Sequence, residues 1–147
     1  MTETKRVLIL CTGNSARSQM AEGLLRQACA GRFEVFSAGT HPSVVNPLAV
    51  EAMRERGIDI GQHRSKPVDE FVGQRFDYVM TVCDNAKENC PLFPGETKRI
   101  HWSFDDPAAA GGSVDERLAV FRRVRDEIES RLRELIKDGE EVSKRER

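Results

Sequence analysis

An apolar run at residues 7–10, Val-Leu-Ile-Leu, delivers a cysteine into the small-residue stretch Cys11-Thr-Gly-Asn-Ser-Ala-Arg-Ser18, which opens directly into a helical pattern. The order is buried strand, tight loop, helix N-terminus. Successive backbone N–H groups in such a loop converge on one point. The unpaired donors and dipole of the following helix add positive potential there, so the loop favours a tetrahedral anion. Thr12, Gly13, Asn14, Ser15, Ala16, Arg17 and Ser18 are the expected cradle. Gly13 lets the chain close around the anion, and Arg17 can return to the rim and grip two oxygens with its planar fork. A thiolate is favoured at a helix N-terminus beside a guanidinium, which places Cys11 as a nucleophile aimed at the bound oxyanion. Asn14 tolerates a left-handed backbone and can tie the loop internally, and the Ser18 hydroxyl can donate to the Cys11 sulfur. An isolated cysteine would read as a small core residue. The Cys-x5-Arg-Ser spacing between a strand and a helix points instead to chemistry.

The 147 residues suit one domain with a proper core. A net charge of −1 with 32% charged and 39% hydrophobic residues indicates neither a nucleic-acid-binding surface nor a disordered chain. The first seven residues carry acid early and few apolar side chains, which argues against a signal peptide. No 18-residue apolar run follows, so the expectation is a cytoplasmic protein without a membrane partner; a monomer is expected as well. In a reducing compartment, four cysteines are better read as chemistry, metal binding or core filling than as a disulfide framework.

Along the chain, Met20, Ala21, Leu24, Leu25 and Ala28 recur at helical spacing with Gly31 as the stop, and Cys29 near that end reads as a packing residue. Residues 33–38 alternate as a second strand ending in Ser-Ala-Gly-Thr. Asn46-Pro47 supplies an N-cap and first-turn proline for a helix through about Arg56, closed by Gly57. The stretch 58–66 is polar and irregular. Residues 77–82 form a third strand ending immediately before Cys83, and 98–102 a fourth leading into Phe104-Asp105-Asp106-Pro107. Ligands gather at the carboxyl ends of parallel strands, so Cys11 and Cys83 are expected to face one crevice. Leu118, Phe121, Val124, Ile128, Leu132 and Leu135 mark one face of a long helix over 114–136. From residue 138 onward no apolar face continues, which predicts a domain over 1–137 and a charged, solvated tail over 138–147. Strands alternating with helices imply a single α/β domain with a parallel sheet.

The wording Cys-Thr-Gly-Asn-Ser-x-Arg-Ser-Gln-Met-Ala-Glu-Gly resembles the low-molecular-weight protein tyrosine phosphatase family, above all its arsenate reductase branch, and the likeness spans about residues 5–137. It implies a three-layer domain with a four-stranded parallel sheet in the order 2-1-3-4, flanked by helices. Phosphate and arsenate are both tetrahedral oxyanions, so the loop alone does not choose between them, and the electron count helps. Dephosphorylation needs one thiolate and a general acid. Reducing arsenate to arsenite needs two electrons, which two thiols supply by becoming one disulfide. Cys11 can form a covalent arsenic adduct, Cys83 can attack the Cys11 sulfur and expel arsenite, and Cys90 can attack Cys83 to free the nucleophile.

The segment Cys83-Asp-Asn-Ala-Lys-Glu-Asn-Cys90-Pro is similar to the redox segment of thioredoxin-coupled arsenate reductases, which implies thioredoxin as the reductant. Two helical turns between those cysteines would hold their Cα atoms about 10 Å apart, whereas a disulfide needs roughly 4.4–6.8 Å, so the segment is expected to unwind on oxidation. Pro91 keeps any helix there short.

Asp106, directly before Pro107, matches the family's general acid, with Asp105 as second choice. Ala108-Ala-Ala-Gly111 then offers no aromatic platform for a phosphotyrosine ring. The alternative function is a low-molecular-weight protein tyrosine phosphatase that hydrolyses phosphate monoesters through a Cys11 phosphoenzyme and leaves Cys83 and Cys90 idle. A non-catalytic oxyanion-binding or redox-sensing protein would use neither the nucleophile nor the acid. The gap between Cys83 and Cys90 does not suit a close zinc-ligand pair, and His41, His63 and His101 show no metal spacing, so no metal or cofactor is expected. Some relatives bind potassium beside the loop through residues matching Asn14, Glu22, Ser37 and an acid soon after His-x-Ser. Here His63-Arg64-Ser65 is followed by Lys66, whose ammonium can take the ion's place near Glu22 and make activity indifferent to potassium.

Overall fold

Val7, Leu8, Ile9 and Leu10 are completely buried, as a continuous apolar run must be when both faces of its strand are covered. They form the centre of β1 (Lys5–Cys11), seen in a computed structural model that describes residues 4–28 and 32–145, with side chains through 137 apart from that of Asn85. β1 pairs in parallel with β2 (Phe33–Gly39) on one side and β3 (Tyr78–Thr81) on the other, and β4 (Lys98–His101) joins the far side of β3. The sheet order is β2-β1-β3-β4, as the family resemblance implies. Register places Cys11 opposite Gly39 at the carboxyl edge. β3 and β4 are shorter than the apolar runs suggest, yet the hydrogen-bonded neighbours continue the ladder. Val82 donates to the Leu10 carbonyl and Trp102 to that of Thr81, each at 2.9 Å.

Helix α1 (Arg17–Ala28) packs against β1 and β2, and α4 (Val114–Arg145) lies against both α1 and α2 (Pro47–Arg54). Gly23 of α1 lets the 58–60 stretch pack closely on the helix, because a Cβ there would stand 3.0 Å from Ile60 and 3.1 Å from Ile58. Asn46 caps α2 by accepting from the Leu48 N–H at 2.8 Å, with Pro47 in the first turn. The helix stops at Arg54 rather than Arg56 because its end tightens: Arg56 and Gly57 donate three residues back, to Met53 and Arg54. Phe36, Phe71, Phe76 and Phe93 form a second packing centre, with neighbouring ring centroids 5.5 to 6.0 Å apart. The expected stop at Gly31 and the packing role of Cys29 lie outside the described residues. α4 continues as helix through Arg145, beyond the point where its apolar face ends. Glu, Lys and Arg are good helix formers, so charge alone does not end a helix. Among the described residues, no helix is long and apolar enough to cross a membrane.

Candidate active site

β1 carries Cys11 to the sheet's carboxyl edge, where the residue is only 2% exposed. The loop that follows is held from outside by residues 40–46. The carbonyls of Cys11, Thr12, Gly13 and Ser15 accept from the backbone N–H groups of Thr40, His41, Ser43 and Asn46 at 3.1, 2.8, 3.0 and 3.0 Å. In a trans peptide the C=O and the next N–H point in opposite directions. Carbonyls tied outward therefore turn the N–H groups of Thr12, Gly13, Asn14 and Ala16 to the concave side, and that of Asn14 reaches the Cys11 sulfur at 3.2 Å. Gly39 makes this close approach possible, because a Cβ there would lie 2.4 Å from the Thr12 carbonyl oxygen. Sequence patterns miss both the strap and this use of Gly39, since the contacts are backbone to backbone across a long chain separation. The Ser-Ala-Gly ending of the second strand was the one available signal.

Asn14 is fully buried and adopts φ +47°, the left-handed conformation its residue type tolerates. Its amide nitrogen donates to the Ser18 hydroxyl at 2.8 Å and to the Ser37 hydroxyl at 2.9 Å. Its side-chain oxygen accepts from the Lys66 backbone N–H and the Gln19 amide. With the Ser18 oxygen already accepting from Asn14, the serine proton is available to the Cys11 sulfur 2.8 Å away.

Behind this hub, Ser37 donates to Glu22 at 2.8 Å, and the buried Glu22 carboxylate also lies 3.1 Å from the His63 ring, 3.4 Å from Arg26 and 3.9 Å from the Lys66 ammonium. The lysine thus stands beside Glu22 and also donates to the Arg64 carbonyl at 3.1 Å. Burial pushes the pKa values of Lys66 and His63 down, with the Glu22 charge opposing both shifts.

The concave side of the loop opens into a cavity of about 270 Å³ lined by Cys11, Gly13, Arg17, Ser43, Asp106 and Ala108, among others. Arg17 donates to the Phe104 carbonyl at 3.1 Å and lies 3.8 Å from the Asp106 carboxylate. Asp106 is further fixed by accepting from the Ala108 N–H at 3.0 Å, an N-cap bond that aims one oxygen at its own turn and leaves the other facing Arg17. Asp105 points elsewhere, to Arg123 at 3.2 Å. Of the two acids, Asp106 is the one at the cavity, and Ala108 rather than an aromatic ring stands beside it. Ser43 joins the lining without any signal in the sequence.

β3 ends next to the loop, and Cys83, 4% exposed, places its sulfur 3.4 Å from the Thr12 hydroxyl. Thr12 thus bridges the Cys11 loop and Cys83. The Cys83 sulfur accepts from the Ala86 N–H at 3.4 Å, so the thiol caps α3 (Asp84–Glu88). That helix has five residues rather than two full turns. Its start is also tied to β4, because His101 bridges the Thr81 hydroxyl at 2.7 Å and the Asp84 carboxylate at 3.0 Å.

Cys90 is half-buried and lies away from the loop, on a separate cavity of about 350 Å³ that Lys87, Arg99 and His101 also line. Burial raises its thiol pKa, and the neighbouring Arg99 opposes that rise. Cys11, Cys83 and Cys90 are free thiols. Cys11, Arg17 and Asp106 therefore share one cavity, Cys83 adjoins it, and Cys90 stands apart. Among the described residues, no three His, Cys, Asp or Glu side chains cluster as a metal site.

Residues 6–147 match the family model described as low molecular weight phosphotyrosine protein phosphatase. An arsenate reductase of Bacillus subtilis (strain 168) is 47% identical over 137 residues, covering 93% of this chain and 99% of the relative. The solved structure described as an arsenate reductase in the phosphate binding state superimposes with a TM-score of 0.74 at 34% identity, covering 92% of this chain and 98% of that one. The Corynebacterium glutamicum thioredoxin-dependent arsenate reductase aligns with a TM-score of 0.71 at 31% identity, over 93% of this chain and 62% of its own.

Proposed function

The chain belongs to the low molecular weight phosphotyrosine protein phosphatase family, and we propose that it turns that family's anion cradle to the reduction of arsenate to arsenite. The observation that carries this reading is a second buried free thiol, Cys83, whose sulfur lies 3.4 Å from the hydroxyl of Thr12 in the nucleophile's own loop. Hydrolysis of a phosphate ester has no use for it, whereas a two-electron reduction does.

Arsenate enters the cavity, where the loop N–H groups and Arg17 hold its oxygens. The Cys11 sulfur attacks arsenic; the S–As bond forms, one As–O bond breaks, and Asp106 protonates the departing oxygen. The Cys83 thiolate then attacks the Cys11 sulfur. An S–S bond forms, the S–As electron pair stays on arsenic, and arsenic leaves as arsenite, reduced by two electrons. Cys90 next attacks Cys83, so a Cys83–Cys90 disulfide forms and Cys11 departs as thiolate. Cys90 lies on a different cavity in the reduced form, so this exchange requires α3 to open. The product disulfide is reduced by an external dithiol, for which thioredoxin is the candidate. The Corynebacterium relative described as thioredoxin-dependent supports that choice.

Phosphatase activity is the second reading, supported by the complete set of Cys11, Arg17 and Asp106 around one cavity. Slow hydrolysis of small phosphate esters fits both readings because the cradle is shared. Arsenite production by the purified protein, compared between a thioredoxin system and glutathione with glutaredoxin, separates them. Turnover that Cys83→Ser abolishes supports arsenate reduction; failure with every donor, with ester hydrolysis intact in Cys83→Ser, supports the phosphatase.

A further inference from the structure

Cys90 accepts a hydrogen bond from a cation on another element. Arg99 of β4 reaches it with two nitrogens: one donates to the Cys90 sulfur at 3.4 Å, and the other to the carbonyl oxygen of the adjoining Pro91 at 3.1 Å. The same guanidinium thus grips the side chain and the backbone beside it, which fixes where the sulfur sits relative to the charge. The sulfur also contacts the Pro91 carbonyl at 3.5 Å, an acceptor that only a protonated thiol can use. Cys90 therefore stands between a partner that favours the thiol and one that favours the thiolate. The remaining charged and titratable groups on its cavity are Lys87 from α3 and His101 from β4, with Asp84 bonded to the far side of the histidine ring. Among the described residues, no acidic side chain lines this cavity.

We propose that Arg99 is a catalytic residue of the thiol exchange, stabilising the Cys90 thiolate as it forms and attacks Cys83. This rests on Cys90 being the third thiol of the proposed relay. The step is a balanced exchange: the Cys90 proton goes to solvent, the Cys90–Cys83 bond forms, the Cys83–Cys11 bond breaks, and its electron pair leaves on Cys11. No outside oxidant or reductant takes part. The rate of such an attack scales with the fraction of the attacking thiol that is ionised. Burial works against ionisation at this site and outweighs the Arg99 charge, which limits the rise without cancelling it. Arg99 extends from a sheet strand on a long flexible stem, so it can follow the sulfur when α3 opens.

The test reads Cys90 directly in the reduced, full-length protein without arsenate. The rate of iodoacetamide labelling at Cys90, resolved by peptide mass spectrometry across a pH series, gives the ionisation midpoint of that thiol. Arg99→Gln is expected to raise the midpoint by about one pH unit, a tenfold loss of thiolate at neutral pH, and Arg99→Lys to restore part of it through charge without the fork. Appearance of the Cys83–Cys90 disulfide after one turnover should slow in the same order. An unchanged or lowered midpoint in Arg99→Gln overturns the proposal even where the relay operates. Conversely, Cys90→Ser protein that keeps multiple arsenite turnovers with thioredoxin removes the relay reading, and the catalytic role of Arg99 with it, whatever the midpoint. Thermal melts of both Arg99 variants check that the fold survives.

Discussion

The two strands that end in cysteine differ in what holds the chain after them. Past Cys11, the loop is strapped by four backbone hydrogen bonds from residues 40–46 and tied internally by a buried Asn14 that uses both ends of its amide. Past Cys83, a five-residue helix is anchored by the buried Ala86, the thiol cap and the His101 bridge to an exposed Asp84, and the chain beyond it is held by the Arg99 side chain at Cys90 and Pro91 before reaching Leu92, which is 86% exposed. Pre-organised donors stabilise a bound anion only when they do not have to move. A segment that must bring two separated thiols into bonding distance has to open at small cost. In the proposed relay, the strapped loop does the binding and the segment after Cys83 does the thiol exchange.

The largest effect that sharpens this contrast is expected at Asn14. Asn14→Ala removes the hub of the loop, leaves buried partners unpaired and puts an ordinary residue at positive φ. Urea denaturation should show a loss of about 2–4 kcal/mol, and arsenate affinity should fall at least tenfold. A change under 1 kcal/mol would mean that the strap alone shapes the loop. At the other end, His101→Ala should cost only about 1 kcal/mol, since it releases two hydrogen bonds at a partly exposed site. It should also move the Cys83/Cys90 equilibrium toward the disulfide, as measured against a glutathione redox buffer, because the proposed exchange requires α3 to open and His101 holds its start. An equilibrium unmoved, or shifted toward the dithiol, would show that His101 does not restrain the segment.

Smaller again is the acid response of the polar layer behind the loop. The folded-state pKa of His63 lies below its ordinary value of 6.5, so on acidification the unfolded chain takes up this proton first. The stability from keeping His63 neutral is complete above about pH 6.5 and is lost as pH falls from there toward the lowered folded value. His63→Gln should flatten that part of the stability profile; an equally steep profile would assign the acid response elsewhere. The smallest expected effect is none: with the Lys66 ammonium 3.9 Å from Glu22, exchanging sodium for potassium at equal ionic strength should leave arsenate turnover unchanged. Stimulation by several-fold would contradict a lysine standing in for the ion.

These regions also differ in how much of them is legible in the chain. The apolar run into Cys11, the Arg17 spacing, the tolerance of Asn14 for positive φ and the pairing of Ser18 with the sulfur all follow from local chemistry, because each contact spans a few residues. The strap from residues 40–46, the close approach at Gly39 and the meeting of Lys66 with Glu22 join distant stretches. Only Lys66 was reachable, through the family resemblance. That resemblance also supplied the strand order, which spacing does not encode. At the second site, Cys83 at a strand end was readable from its apolar run, but the helix after it is shorter than its cysteine spacing suggests. The position of Cys90 under Arg99 depends on β4 packing beside α3, a tertiary fact with no periodic signature.

The most direct test of the three-thiol account is a single turnover of arsenate by reduced Cys90→Ser protein, with arsenite counted and disulfides mapped by peptide mass spectrometry. The account predicts one arsenite per protein and a trapped Cys11–Cys83 disulfide. Arsenite released without that disulfide, or no arsenite from a protein that still hydrolyses phosphate esters, would contradict it.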